Sequence, residues 1–274
     1  MLSAKKLALL LPLKKIGETL YIFDELASTN AFAIERAKDQ ALSGTVVLAD
    51  RQTAGRGRLD RLWFSPGKSN IYGSLLLVPE TTIQYLGWIP HMAGVAIAQA
   101  LEQQTGIRID LKWPNDLLIG GRKLGGVLCD SFRNAGHQTC VVIGFGINVN
   151  ITQSEFPSDL QASATSLHIQ CHCPLDREAL ITKVITSLEE NWESLRSQGP
   201  QSLIVEYKHW CITIGQMIQV QFPDGSQIQG LAHSIGEQGQ LKIIPSLSDP
   251  NEQSSRMRDI HSGEILHLRT TVQQ

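Results

Sequence analysis

The chain has 274 residues and a formal net charge of −2, with 42% hydrophobic and 18% charged residues. These proportions are typical of a folded globular protein with room for one large core and a smaller domain. The near-neutral balance excludes a protein that is basic throughout, so any cationic site must be local and suited to a small anion or one protein partner.

Residues 1–16 hold a short apolar run between two pairs of lysines. The run is far shorter than the roughly 20 residues that span a bilayer, and no signal-peptide cleavage site follows it. We therefore expect a short amphipathic helix that packs on the body, no membrane contact and a cytoplasmic protein. The five cysteines, odd in number and scattered, also indicate a reducing compartment.

Residues 17–211 mix strand and helix patterns without regular alternation, which predicts an α+β domain: a mixed β-sheet with helices on one face. Helices are predicted after the capping residues Ser28 and Asp176, and in a stretch that ends at Gly106. The segment from Thr152 to Pro174 is predicted to be a polar loop. Strands are predicted in GETLYIFDEL, GTVVLADRQ, NIYGSLLLV, DLKWPND, KLGGVLCD and CVVIGFGINVN, the last two as a hairpin pair.

Residues 212–274 have a different residue pattern from the rest of the chain. Apolar and polar residues alternate there between turns at PDG and GEQG. This pattern predicts a small, separate β-barrel domain. One long polar stretch, SLSDPNEQSSRM, is predicted to be a loop of that domain.

The segment DRQTAGRGRLDRLWFSP, residues 50–66, holds four arginines and two glycines. Glycine lets backbone N–H groups approach an anion, and arginine binds phosphate or carboxylate in a bidentate manner. The spacing is not that of a Walker A motif. A solvated loop with incidental arginines is the alternative that this segment alone leaves open.

The segment LKWPNDLLIGGRKLGG sets Lys112, Asn115, Asp116 and Lys123 among apolar strand residues, where polar groups need partners if buried. The two glycines at 120–121 form a turn that can return Lys123 towards Lys112. A structural ion pair is the simpler alternative. Because no nucleophile motif is present, the predicted chemistry is stabilisation of anions by lysine and arginine.

Two further motifs are interpreted as structural. The segment GFGINVN lacks the third glycine of a dinucleotide fingerprint, since Val149 stands there, so its glycines are expected to let the strand approach a ligand or a neighbour. The segment CHC at residues 171–173 has no second cluster to complete a metal site.

Together, six segments resemble the motifs of biotin–protein ligases in order and approximate spacing. They are STN (28–30), QTAGRGR (52–58), WFSP (63–66), KWPND (112–116), RKLGG (122–126) and GFGINVN (144–150). The resemblance runs from about residue 17 to the end of the chain. It implies a catalytic biotin- and ATP-binding domain at 17–211 and an SH3-like β-barrel at 212–274.

The resemblance also implies a reaction. Biotin and MgATP would give biotinyl-5′-AMP, which a lysine of the biotin carboxyl carrier protein domain of acetyl-CoA carboxylase would then attack. Residues 50–66, here called the clamp loop, would order over the adenylate. A homodimer is a further possibility that the resemblance raises.

Roles for individual residues follow only from the resemblance. The implied catalytic residues are Lys123, Arg56 and Asp116. The implied biotin-binding residues are Ser28, Thr29, Asn30, Gln52, Gly55, Arg56 and Lys123. The implied ATP- and adenylate-binding residues are Arg58, Arg61, Trp63, Lys112, Asn115 and Asn148. Asp116 is also the implied neighbour of Mg²⁺.

Two departures from the family pattern accompany the match. Only residues 1–16 precede the first predicted strand, whereas bifunctional members carry a DNA-binding winged helix there, so we expect no binding of operator DNA and no repressor activity. The clamp loop has Leu59 and Asp60 where basic residues or glycine are usual. The alternative function is that of a lipoate ligase or octanoyltransferase of the same fold.

Overall fold

The computed structural model describes residues 2–11, 16–39, 41–79, 83–246, 256–261 and 263–267. The helices in these ranges are α1 (Ala4–Leu10), α2 (Thr29–Ala37), α3 (Ile89–Thr105), α4 (Leu167–Cys171), α5 (Arg177–Gln198) and α6 (Gln201–Trp210). The strands are β1 (Leu20–Phe23), β2 (Val46–Ala49), β3 (Ile71–Leu77), β4 (Asp110–Lys112), β5 (Asp116–Ile119), β6 (Arg122–Arg133), β7 (Thr139–Ile147), β8 (Met217–Gln221), β9 (Gln227–Ile235), β10 (Leu241–Pro245), β11 (Arg258–Ile260) and β12 (Glu264–His267).

The larger sheet has seven strands in the order β1-β2-β3-β7-β6-β5-β4. Strands β1 and β2 run parallel, and the other neighbours are antiparallel. The predicted hairpin of β6 and β7 is present, with a register from Gly125↔Ile147 to Arg133↔Thr139. The predicted mixed sheet and α+β class are therefore confirmed.

Helices cover both faces of this sheet. Val46 and Leu48 of β2 belong to the core that α3 and α5 complete, whereas Val47, on the other face, packs with Ala33 and Ala37 of α2. The prediction that the helices share one face is thus wrong for α2. The physical reason is that β2 and β3 are buried along their whole length, and such continuous apolar strands need cover on both faces.

The predicted helix ends agree with the structure. The Ser28 and Asp176 side chains accept hydrogen bonds from the first turns of α2 and α5, and Gly106 ends α3 with a φ of 71°. Two helices were missed. Helix α4 lies inside the predicted polar loop and is capped by Ser166, and α6 begins directly after Pro200.

The N-terminal segment forms the predicted amphipathic helix on the body of the protein. Leu7 and Leu11 are buried, and Lys6 Nζ lies 2.5 Å from Asp176 Oδ2, so α1 is fixed against the start of α5. Among the helices of the described ranges, none combines the length and the apolar character that crossing a bilayer requires.

The C-terminal strands form a separate antiparallel sheet in the order β11-β10-β9-β8-β12. Most of the predicted polar loop, residues 247–255, lies outside the described residues. The turn between β9 and β10 docks on the larger part. Trp88 Nε1 donates to Glu237 O at 2.7 Å, and the carbonyl oxygen of Gly239 lies 2.8 Å from His91 Nε2 and 3.3 Å from Trp113 Nε1. These contacts place the start of β12 beside the cleft described next.

Candidate active site

One cavity of about 350 Å³ lies between the clamp loop, the strands β4 to β7 and the start of β12. This volume is within the range of small-molecule sites. All the predicted site residues line it except Gly55. They are Ser28, Thr29, Asn30, Gln52, Arg56, Arg58, Arg61, Trp63, Lys112, Asn115, Asp116, Lys123 and Asn148.

The inner end of the cavity is neutral and polar. Because Ser28 caps α2, the next two residues lie in the first turn of that helix and face the sheet. Gln52 Oε1 accepts from the Thr29 backbone N–H at 2.9 Å and lies 3.2 Å from Thr29 Oγ1. Ser74 of β3 lies 2.8 Å from Thr29 Oγ1 and 2.6 Å from Asn30 Oδ1. Hydrogen-bonding groups with fixed directions therefore form this end.

Two glycines of β7 give these side chains their space. A Cβ at Gly144 would lie 2.1 Å from Asn30 Oδ1, and a Cβ at Gly146 would lie 2.5 Å from Trp63 Nε1. Both neighbours therefore depend on bare backbone in β7. The interpretation of GFGINVN as a strand that a neighbour approaches closely is confirmed.

The clamp loop closes on itself. Trp63 N donates to Gly55 O at 2.9 Å, and Gly57 N donates to Arg61 O at 2.7 Å. A Cβ at Gly55 would meet Ser65 Oγ at 2.5 Å, so Gly55 is needed for loop closure and lies away from the cavity wall. Leu59 has a φ of 54°, a left-handed conformation that costs a leucine about 1 kcal/mol. The side chain of Asp60 lies outside the described residues.

The outer part of the cavity is cationic. Arg58 Nη1 lies 3.4 Å from both Asn115 Oδ1 and Gly263 O, and burial lowers the pKa of this guanidinium. Burial also lowers the pKa of Lys112; Asp116 opposes this shift and the charge of Lys123 adds to it. These two cations are therefore partly desolvated, a state that an anionic ligand would stabilise.

Lys123 is held by neighbours on two sides. The glycines at 120–121 form the predicted turn between β5 and β6, which was expected to return Lys123 towards Lys112. The ion pair that forms is with Asp116, the residue opposite Lys112 on β5, and Lys123 Nζ lies 2.6 Å from Asp116 Oδ1. The same ammonium lies 5.6 Å from the centre of the Trp63 ring. Lys123 is thus poised at the junction of the neutral and cationic parts of the cavity.

Arg61 and Asn148 are at the edge of these groups. Arg61 Nη1 donates to Glu264 Oε1 of β12 at 2.8 Å, and a second, shorter contact joins Nη2 to Oε2. This hydrogen bonding raises the pKa of Arg61 and lowers the pKa of Glu264. Asn148 is buried and donates to Thr165 O at 3.1 Å, which fixes its side chain in the wall.

The sequence reasoning missed several residues that build the site. They are Ser74, Asp130, Phe156, Leu160, Gly263, Glu264 and Ile265. Ser74 and Asp130 occupy ordinary strand positions, and Glu264 and Ile265 lie on β12 of the C-terminal sheet, far from the motifs in the sequence. In the described residues, no group of three or more His, Cys, Asp or Glu side chains is placed to hold a metal ion. This holds also for the side chains of the CHC segment.

Comparison with known proteins assigns the family. The chain is 32% identical over 264 residues to the bifunctional ligase/repressor BirA of Bacillus subtilis (strain 168), covering 96% of this chain and 78% of that protein. The chain belongs to the biotin/lipoate A/B protein ligase family. The family model matches residues 23–148 of this ligase-family chain, the segment that contains every predicted site residue.

A second sequence relative and a solved structure support the assignment of this chain to the family. The biotin–[acetyl-CoA-carboxylase] ligase of Mycobacterium tuberculosis is 31% identical over 255 residues, covering 91% of this chain and 89% of that protein. The solved structure of the biotin protein ligase from Aquifex aeolicus in complex with biotin and ATP is 29% identical. It superposes with a TM-score of 0.76 and covers 92% of this chain and 100% of that chain.

Proposed function

We propose that this chain is a biotin–protein ligase, which uses ATP to activate biotin as biotinyl-5′-AMP and transfers the biotinyl group to a lysine of a carrier protein. The observation that carries the proposal is the cavity itself. Five cationic side chains line the same cavity as a neutral polar end: Arg56, Arg58, Arg61, Lys112 and Lys123. The printed names of the relatives, which are biotin ligases, support the same substrates.

The arrangement suits the first half-reaction. A carboxylate must approach the α-phosphate of ATP, and two anions repel each other. Lys123 and Arg56 are placed to neutralise the carboxylate, and Arg58 and Lys112 to neutralise the phosphates, which lowers the barrier electrostatically. Because Asp116 already holds Lys123 at 2.6 Å, the ammonium needs little reorganisation.

The arrangement also suits substrate-borne nucleophiles. Neither a histidine nor a cysteine lines the cavity within the described part of the chain, so the side chains there include no activated thiol or imidazole base. In the proposed reaction the nucleophiles are the biotin carboxylate and then the acceptor lysine. Asp116 is the carboxylate that would orient the incoming amine.

Magnesium is expected to arrive with ATP. Mg²⁺ is usually held by one or two carboxylates together with substrate phosphates, and the cavity offers the Asp116 carboxylate with the Asn115 amide oxygen next to it. These residues fit such an ion. When bound, it would neutralise phosphate charge beside Lys112.

The test is the intact mass of an apo carrier domain after incubation with the protein, biotin, ATP and Mg²⁺, with lipoate replacing biotin in parallel. One biotinyl group, added only with ATP, is the expected result. Modification with lipoate alone would reassign the substrate to the lipoate branch of the family. No modification with either ligand would refute the ligase function.

A lysine variant connects this activity to the cavity. Lys123→Gln should lower the rate of labelling by at least about 100-fold, the order expected when one group that stabilises transition-state charge is lost. Lys242→Gln is the matched control, because Lys242 is similarly exposed and also pairs with an aspartate, but lies in the C-terminal sheet. Equal rates for the two variants would contradict the proposed role of Lys123.

Three finer points remain predictions. The acceptor is the biotin carboxyl carrier domain of acetyl-CoA carboxylase, and labelling of that domain in preference to others would support this. The absence of repressor activity is tested by an electrophoretic mobility shift with operator DNA. Dimer formation is tested by sedimentation with and without biotin and ATP.

A further inference from the structure

Asp130 lies on β6, seven positions after Lys123, and outside every motif that marked the site. Its side chain is 32% exposed. Asp130 Oδ2 accepts a hydrogen bond from Asn30 Nδ2 at 2.9 Å and another from Arg56 Nη2 at 3.3 Å. One carboxylate oxygen thus joins the neutral polar end of the cavity to the clamp loop.

The Asn30 side chain is fixed in a single orientation. Its Oδ1 lies 2.6 Å from Ser74 Oγ, and its Nδ2 donates to Asp130 and, at 3.2 Å, to Leu128 O. Ser74 and Asn30 are both buried. An amide flip would place Asn30 Oδ1 against the acceptor oxygens of Asp130 and Leu128, so only the observed orientation satisfies these neighbours. Asp130, which is partly exposed, is the one charged member of this hydrogen-bonded group.

The Arg56 side chain is held by fewer contacts than the Asn30 side chain. It is 43% exposed, and Asp130 is the only carboxylate within ion-pair distance of it among the described side chains. A long, exposed arginine on a glycine-containing loop has many accessible rotamers, which must be ordered when a ligand binds. The Asp130 contact restricts these rotamers before any ligand enters.

We propose that Asp130 is a positioning residue that holds Asn30 and Arg56 at a fixed separation through one carboxylate oxygen. This inference rests on the proposed function. It means that the distance between Asn30, at the neutral polar end of the cavity, and Arg56, on the clamp loop, is fixed before biotin binds. Asp130 does not line the cavity and acts only through these two neighbours.

The test compares biotin binding by isothermal titration calorimetry without ATP, together with KM for biotin and kcat in carrier labelling. Asp130→Ala removes both contacts and should weaken biotin binding about tenfold, the factor typical of one lost hydrogen bond to a charged group. Asp130→Asn keeps one acceptor for Asn30 and should fall between this variant and the wild type. Ser74→Ala should weaken binding in the same direction, because it frees the other side of the Asn30 amide.

The matched control is Asp110→Asn. Asp110 is 26% exposed and lies 3.6 Å from Arg108 Nε, but it stands on β4 away from the cavity. It should leave biotin affinity and KM unchanged. A purely structural role for Asp130 would lower the melting temperature without changing biotin KM relative to kcat.

The outcomes separate the inference from the proposed function. Wild-type affinity for biotin in a folded Asp130→Ala protein would overturn the inference while leaving the ligase function intact. A wild-type protein that neither binds biotin nor labels a carrier would overturn both. If Asp130→Ala does not fold, the Asp130→Asn and Ser74→Ala proteins decide, and unchanged biotin binding in both overturns the inference.

Discussion

Trp63 packs so closely on Gly146 that we expect a methyl group at position 146 to displace the indole ring from the cavity wall. In Gly146→Ala the new methyl carbon would lie 2.5 Å from Trp63 Nε1 and 2.8 Å from Cε2. The glycine cannot withdraw, because β7 is a central strand in which it faces Tyr72 on one side and Gly126 on the other. The indole ring must therefore move.

The size of the effect follows from this geometry. Ordinary contacts to a Cβ begin at 3.4 Å, so the ring has to retreat by about 1 Å. Overpacking of this kind costs about 1–3 kcal/mol. No hydrogen bond holds the ring in place, because Trp63 Nε1 is buried without a partner in the described structure. If the cost falls on the ligand-binding conformation, affinity should drop roughly 5- to 150-fold.

The assay is the KM for ATP and for biotin in carrier labelling, with the melting temperature measured alongside. Gly136→Ala is the control, since a Cβ there meets its nearest neighbour only at 3.4 Å. The double variant Gly146→Ala/Trp63→Phe should recover part of the loss, because the smaller ring leaves room for the methyl group. Wild-type KM values in Gly146→Ala would refute the reasoning.

Two further predictions concern stability. The buried Asp50 carboxylate is 5% exposed and lies 2.8 Å from Arg177 Nη1. Arg177→Met leaves this carboxylate without its cation, so the free energy of unfolding in urea should fall by about 3–5 kcal/mol. The double variant Asp50→Asn/Arg177→Met should lose less stability, and equal losses in the two proteins would contradict this reasoning. Burial lowers the pKa of His91 to about 4, below its ordinary value of 6.5. The contribution of the neutral imidazole to the free energy of unfolding should therefore be complete above pH 6.5. It should fall by up to roughly 3 kcal/mol as the pH drops to about 4. His91→Gln should have a shallower pH dependence between pH 7.5 and 5, and an unchanged slope would refute the assignment.

The parts of the site that the sequence predicted are those built by short-range structure. Lys123 meets Asp116 because a glycine turn closes the hairpin between β5 and β6, and this turn is visible as GG in the sequence. Thr29 and Asn30 point at the sheet because Ser28 caps α2. Each of these placements depends on a local rule about turns or caps, whereas the membership of these residues in one site was predicted only from the family resemblance.

The parts that it missed depend on contacts between distant segments. Arg56 and Asp130 are 74 residues apart, and Arg61 and Glu264 are 203 residues apart. Asp130 and Glu264 each occupy a strand position that local patterning explains fully by an exposed polar face. Helix α2 was placed on the wrong face for a related reason. The all-apolar β2 and β3 show that both faces are covered, but they do not identify the helix that covers each face.

Besides Lys123, which pairs with Asp116, the cations of the cavity fall into two groups that differ in burial and in partners. Arg58 and Lys112 are half-buried, and burial lowers the pKa of each. Arg56 and Arg61 are exposed and pair with Asp130 and Glu264, which belong to different sheets. The clamp loop is therefore attached by carboxylates on two sides, while the inner cations are the least solvated. An anion that enters the cavity gains most from the inner pair, and it can engage the outer arginines only in competition with the carboxylates that already hold them.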